Sequence, residues 1–152
     1  MAAGTDLVWV DDLDVDVCWQ LLARRNVGRI AFVLDDEPIV LPVNYVVDGK
    51  AIVFRTGPTS ILEALASGAR AAFEVDGADP EVKTGWSVLV RGEAREVPSD
   101  ERARLAALPL EPWAPGERDR WLRLVPDVVT GRSISRMRSE VDGELLPYLP
   151  PD

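Results

Sequence analysis

Short runs rich in hydrophobic residues, each closed by turn residues such as Asp, Gly and Pro, predict strands rather than helices over most of the chain. The first such run is Val27 to Leu34, closed by the acidic turn Asp35-Asp36-Glu37. Pro38 to Val47 follows, then the hairpin signal Asp48-Gly49 and a third run at Ala51 to Arg55. Ala71 to Val75 predicts a fourth strand, and the turn residues Asp76-Gly77-Ala78-Asp79-Pro80 predict a loop before a long fifth strand at Trp86 to Val97. A sixth covers Trp121 to Val125, with an extension from Val129 to Ile134. Helical spacing is confined to three short stretches. Val15 to Arg25 has Asp14 as its cap. A second helix opens at Thr59 or Ser60, with Ile61, Leu62, Leu65 and Ala66 on one face and Gly68 as its stop. A third spans Asp100 to Leu108 after Ser99. Pro109 to Glu117 carries three prolines and is irregular, and residues 138–152 form a loosely docked arm.

Six short strands without a repeated strand-helix-strand pattern predict a mainly β protein, closed or half-closed as an antiparallel barrel. The 152 residues suit one domain, 1–152, with its core over about 15–134. A hydrophobic fraction of 47% against 28% charged residues provides enough apolar surface to offset chain entropy.

Charge narrows the partners. The net charge is −9, and the N-terminal stretch up to Asp16 holds five Asp and no base. Nucleic acid and anionic membranes both call for basic surfaces, so neither is expected as a partner. No apolar run approaches the ~20 residues of a membrane helix. The acidic N-terminus also lacks the basic region of a signal peptide, which points to the cytoplasm. Cys18 is alone, so a disulfide within the chain and a cysteine metal cage are both excluded, and no metal site is expected. The absence of histidine constrains chemistry most. It removes the usual general base near neutral pH, His-activated serine or cysteine nucleophiles, and His-ligated metals. Chemistry whose hard step belongs to an organic cofactor remains open.

Five stretches in order, LLARRNVGRIAFV, PIVLPVNYVVDGKAIVFRT, AAFEVDGAD, GWSVLVRGEAREV and WLRLVPDVVTGRSI, resemble the pyridoxamine 5′-phosphate oxidase-like proteins, the FMN-binding split barrels. The subgroup most similar is the small actinobacterial type related to nitroimidazole-resistance proteins. The resemblance runs from about Val15 to Ile134. It implies a six-stranded antiparallel split barrel that works as a homodimer, with FMN between the subunits and hydride exchange at the flavin.

An FMN site needs phosphate donors, ring walls, and backbone groups along the pyrimidine edge. Arg55 and Thr56 end the third strand, and Thr59 and Ser60 stand at the start of the next helix. Together they form a phosphate cradle. On local sequence alone the two hydroxyl residues read first as helix caps and Arg55 as a surface ion-pair partner; the resemblance turns the reading toward the cradle. Pro42, Val43 and Asn44 lie on the strand that, by resemblance, runs beneath the ring. Pro42 lacks an N–H, which implies an edge or irregular position, while Asn44 offers both donor and acceptor. By the same resemblance Trp86 and Ser87 reach the flavin bound largely by the partner subunit, and Arg132 contacts the ring edge. As a plain sheet residue, Trp86 is core. Gly92 suits a bulge or a close approach of backbone. Trp9, Trp19, Trp113 and Trp121 are expected in the core or a dimer interface.

Ile61 stands where relatives commonly carry a Lys, so one charge-assisted contact worth ~1.5–3 kcal/mol is missing. Three readings of function follow. One is an FMN-dependent oxidoreductase. Another is a protein that holds a flavin, a deazaflavin or another small ligand without turnover. The third is a regulatory or structural dimer with an empty cleft.

Overall fold

The computed structural model describes residues 7–58, 61–139 and 145–147. The strands are β1 (Leu7–Asp12), β2 (Val27–Leu34), β3 (Glu37–Asp48), β4 (Ala51–Thr56), β5 (Ala69–Asp79), β6 (Thr84–Glu96), β7 (Arg120–Ser139) and β8 (Leu145–Pro147). Six of them close into an antiparallel ring, β7-β4-β3-β2-β5-β6 and back to β7. This ring is the barrel expected from the sequence; β1 and β8 are additions, each paired to β7. Between β2 and β5 the ladder shrinks to three residue pairs, from Arg29↔Glu74 to Ala31↔Ala72, and there the barrel splits.

Period-two alternation fills the interior. Ile30, Phe32, Tyr45, Phe54, Phe73, Val88, Val90, Leu122 and Leu124 all point inward, each contributing on the order of 1.5–3 kcal/mol by leaving water. Phe73 meets Tyr45 edge to face at 4.8 Å and lies over Gly28, where a side chain would collide with the ring. Helix α1 (Val15–Ala23) closes one end with Cys18, Trp19 and Leu22. Tyr45 donates its hydroxyl to the Leu22 carbonyl, and burial pushes the phenol well above its ordinary range.

A second apolar cluster lies on the outer face of β4 and β7. Val53, Val97, Leu105, Leu110 and Trp121 pack there beneath the single turn α2 (Arg102–Leu105). Two ion pairs pin that turn to the barrel. Arg104 grips Asp48 at 2.8 and 3.0 Å, and Arg123 grips Glu101 at 3.1 and 2.8 Å.

Several expectations are corrected by the structure. β1 was not expected. The second helix is only a 3-10 segment, Ile61–Leu65, because Gly68 at φ 95° stops the chain before a full α-helix can propagate. Thr59 and Ser60 lie outside the described residues. The loop expected at Asp76–Pro80 is strand as far as Asp79, held by the ladder to β6. The third helix is a 3-10 turn, Ser99–Glu101, followed by α2, with no side-chain cap from Ser99. Asp14 sits at the N-cap of α1, yet its side chain makes no capping hydrogen bond. The helix stops at Ala23, short of Arg25. The two segments expected at Trp121–Val125 and Val129–Ile134 are one strand of 20 residues. Within it the register shifts opposite Arg91 and Gly92, skipping Asp127. Gly92 thus sits at the bulge, as expected. Of the arm, Arg138 and Ser139 are described as the end of β7 and Leu145–Pro147 as β8.

Candidate functional site

Strand alternation sorts the candidate residues by face. On β3, Val43 and Tyr45 point into the barrel, so Pro42 and Asn44 point out. Pro42 pairs with Arg29 of β2. The ladder to β4 begins only at Tyr45, so from Pro42 to Asn44 strand β3 has a sheet neighbour on one side alone. This is the edge position that a residue without an N–H implies. Arg55 also faces outward, paired in register with Trp121, and its guanidinium stacks on the indole at 4.7 Å.

Over this surface runs an irregular strap, residues 109–119, between α2 and β7. Two side chains tie it down. Asn44 Oδ1 accepts the Trp113 N–H at 2.9 Å, and Arg55 Nε donates to the Arg118 carbonyl at 2.9 Å. Asn44 Nδ2 donates to the Asn26 carbonyl at 3.5 Å. Between strap and barrel lies a cavity of about 80 Å3, lined by Pro42, Val43, Asn44, Arg55, Leu62, Pro112, Ala114 and Arg118. Four of the sequence-derived candidates thus come together. Val43 contributes its backbone, since its side chain belongs to the core.

The other described candidates lie elsewhere. Thr56 is fully buried and its hydroxyl donates to the Gly57 carbonyl at 3.4 Å, so it does not line the cavity. Trp86 packs against the core with Arg25 5.5 Å above its ring, in accord with its plain sheet role. Ser87 and Arg132 are exposed, and they are register partners on the outer face of β6 and β7. Arg132 pairs with Asp12 at 3.6 Å, with both side chains largely in solvent. The five-residue 3-10 segment is too short to bring a helix dipole to an anion.

Residues that sequence reasoning passed over complete the cavity: Leu62, Pro112, Ala114 and Arg118. The proline-rich strap has no hydrophobic period from which a facing side could be deduced. Among the described residues, no group of three or more His, Cys, Asp or Glu is placed to hold a metal ion, and no helix is long and apolar enough to cross a membrane.

The fold is an antiparallel split barrel with a small cavity beneath the strap, at the stretch of β3 that β4 does not cover. The sequence profile of pyridoxamine 5′-phosphate oxidase matches residues 14–133, and the chain belongs to that family. It is 37% identical to the uncharacterized protein Rv0080 of Mycobacterium tuberculosis over 127 residues, 80% of this chain and 84% of that protein. The FAD binding protein of Mycobacterium smegmatis shares its fold with a TM-score of 0.65 and 32% identity, over 82% of this chain and 98% of that one. A conserved protein of unknown function from Corynebacterium diphtheriae matches with a TM-score of 0.67 and 32% identity, over 82% and 97%.

Proposed function

We propose that this chain is a flavin-dependent oxidoreductase that holds FMN in a cleft shared by two copies of the chain. The observation that carries this is the one-sided edge at Pro42–Asn44 beside the Arg55 guanidinium, in a member of this family. The bound flavin would supply hydride exchange. The chain's own residues would do the rest. Backbone groups of Pro42–Asn44 would meet the pyrimidine edge, the second N–H and second lone pair of the Asn44 amide, beyond those held by Asn26 and Trp113, would add a donor and an acceptor, and Arg55 would hold the phosphate. The cavity is far below the ~300–1,000 Å3 of a ring-sized ligand pocket. It suits one phosphate group, and the ring would lie on the outer sheet face beyond it.

That outer face supports a dimer. Val40, Ala31, Ala72, Arg91 and Val128 form one row across five strands, with Val40 at 64% and nearby Val33 at 67% exposure. A second copy would cover this row and bring its own Ser87 and Arg132 toward the flavin. The lone buried thiol of Cys18 suits a reducing cytoplasm.

A second reading, FAD in place of FMN, is favoured by the FAD binding protein of M. smegmatis at 32% identity. The absence of any histidine to move protons near neutral pH favours a third reading, a flavin holder without turnover.

The test is an absorption spectrum of the purified protein, light scattering, and titration with FMN, FAD, riboflavin and a deazaflavin. Flavin bands, a dimer and tightest binding of FMN are expected. Arg55→Ala should weaken FMN ~10- to 100-fold, the loss of one charge-assisted contact, and leave riboflavin unchanged. A colourless monomer that takes up none of the four overturns the proposal.

A further inference from the structure

We infer that Arg118 is a second cation of the phosphate subsite. With Arg55 it forms a two-guanidinium clamp for a phosphate group, one arm on the barrel and the other on the strap. The inference rests on the flavin reading above and names a residue of that site.

The first argument is charge economy. Acids outnumber bases 26 to 17 in this chain, and arginines within reach of carboxylates pair with them. Arg29, Arg70, Arg95, Arg104, Arg120 and Arg123 all do. Arg55 and Arg118 line one cavity of about 80 Å3, and neither is bridged to a described carboxylate. Two like charges beside one small cavity repel, and an anion between them turns that repulsion into attraction.

The second argument is geometry. Arg55 spends its Nε on the Arg118 carbonyl at 2.9 Å and lays its guanidinium on Trp121. Arg118 spends its Nε on the Ala114 carbonyl at 3.3 Å, across one turn of the strap. In both side chains the inner nitrogen fixes the fork, and the two terminal nitrogens make no hydrogen bond to a described residue. A fork held in this way loses less freedom on binding a tetrahedral oxyanion, and it can meet two oxygens at once. The cavity is the size for such a group and too small for a flavin ring. FMN offers a terminal phosphate and FAD a diphosphate, and the clamp chemistry is shared by both.

The test uses the intact protein and its Arg118→Gln and Arg118→Lys variants, titrated with FMN, FAD and riboflavin by flavin fluorescence, with thermal midpoints alongside. Arg118→Gln should weaken the phosphate-bearing flavins ~10- to 100-fold, with riboflavin affinity and the unliganded midpoint unchanged. Arg118→Lys should restore part of the loss, because it returns the charge without the fork. The flavin with the larger loss identifies the phosphate source. Equal losses for riboflavin and FMN would make Arg118 a packing residue and overturn the clamp. Unchanged FMN and FAD affinity in Arg118→Gln would overturn it while leaving the flavin reading intact. If the wild-type protein binds no flavin, that reading fails by itself, and inorganic phosphate becomes the probe. A midpoint raised by phosphate in the wild type and not in Arg118→Gln would uphold the clamp. No rise in either would end it.

Discussion

At Gly92 a Cβ would lie 2.0 Å from the Val125 carbonyl oxygen and 2.8 Å from Cα of Pro126. Both are backbone atoms fixed by the β6–β7 ladder. At Gly28 the collision is with Cζ of Phe73, at 2.2 Å, and a side chain can repack. Overpacking typically costs ~1–3 kcal/mol. Gly28→Ala should fall in that range and recover when Phe73→Leu is added. Gly92→Ala should cost more, and no single side-chain change should rescue it. Denaturant unfolding of the three variants checks this; equal costs at the two glycines would refute the distinction. The role of Gly92 was legible in the sequence, because a lone glycine inside a long strand signals a bulge. That of Gly28 was not, since its partner Phe73 is distant in sequence. Period two also carried more than was taken from it. Once Val43 and Tyr45 are inward, Asn44 must face out, and the same count places Trp86 inward and Ser87 outward. Arg118 had no such count to place it.

Among the elements, strands were more legible than helices. β2 keeps the bounds Val27–Leu34 that the sequence predicts, because Ile30 and Phe32 on its inner face are buried in the core. The 3-10 segment and α2 carry a helical pattern too short to propagate, and tertiary contacts decide their form. α2 depends on ion pairs. The Arg104 hydrogen bonds hold the Asp48 carboxyl below its usual range, and Arg123 does the same for Glu101. A carboxylate whose folded value lies below the unfolded one stabilises the fold fully above the unfolded value. That contribution is lost as pH falls through the folded value. With unfolded carboxylates near ~4, stability should drop between about pH 5 and 3. The drop should be shallower in Arg104→Gln, which removes the main cause for Asp48. Denaturant midpoints at stepped pH measure both slopes, and parallel curves would show that this latch contributes nothing to acid sensitivity. The strap is the least legible element. It has no period, and its position follows from Leu110 in the outer apolar cluster and from two hydrogen bonds made by Asn44 and Arg55.

For the whole molecule, the ring of six antiparallel strands was legible because its hairpins are local: β2–β3, β3–β4 and β5–β6 join neighbours in the chain. What escaped was the strand whose partner lies at the far end of the chain. β1 offers only Leu7 to Val10 before two aspartates, too short an alternation to stand out, and it gains its form from β7. Its position has a further consequence. Met137 lies opposite Leu7 in β1 and opposite Pro147 in β8. The outer strands therefore flank the same point of β7, about two strand spacings apart, or ~10 Å. A linker of a few residues from Pro147 to Leu7 would span that gap, and the chain could then be reopened at the Asp35-Asp36 turn. Such a circular permutant should fold to the same ring, with a far-UV spectrum like that of the parent, because the order of strands in space does not depend on where the polypeptide starts.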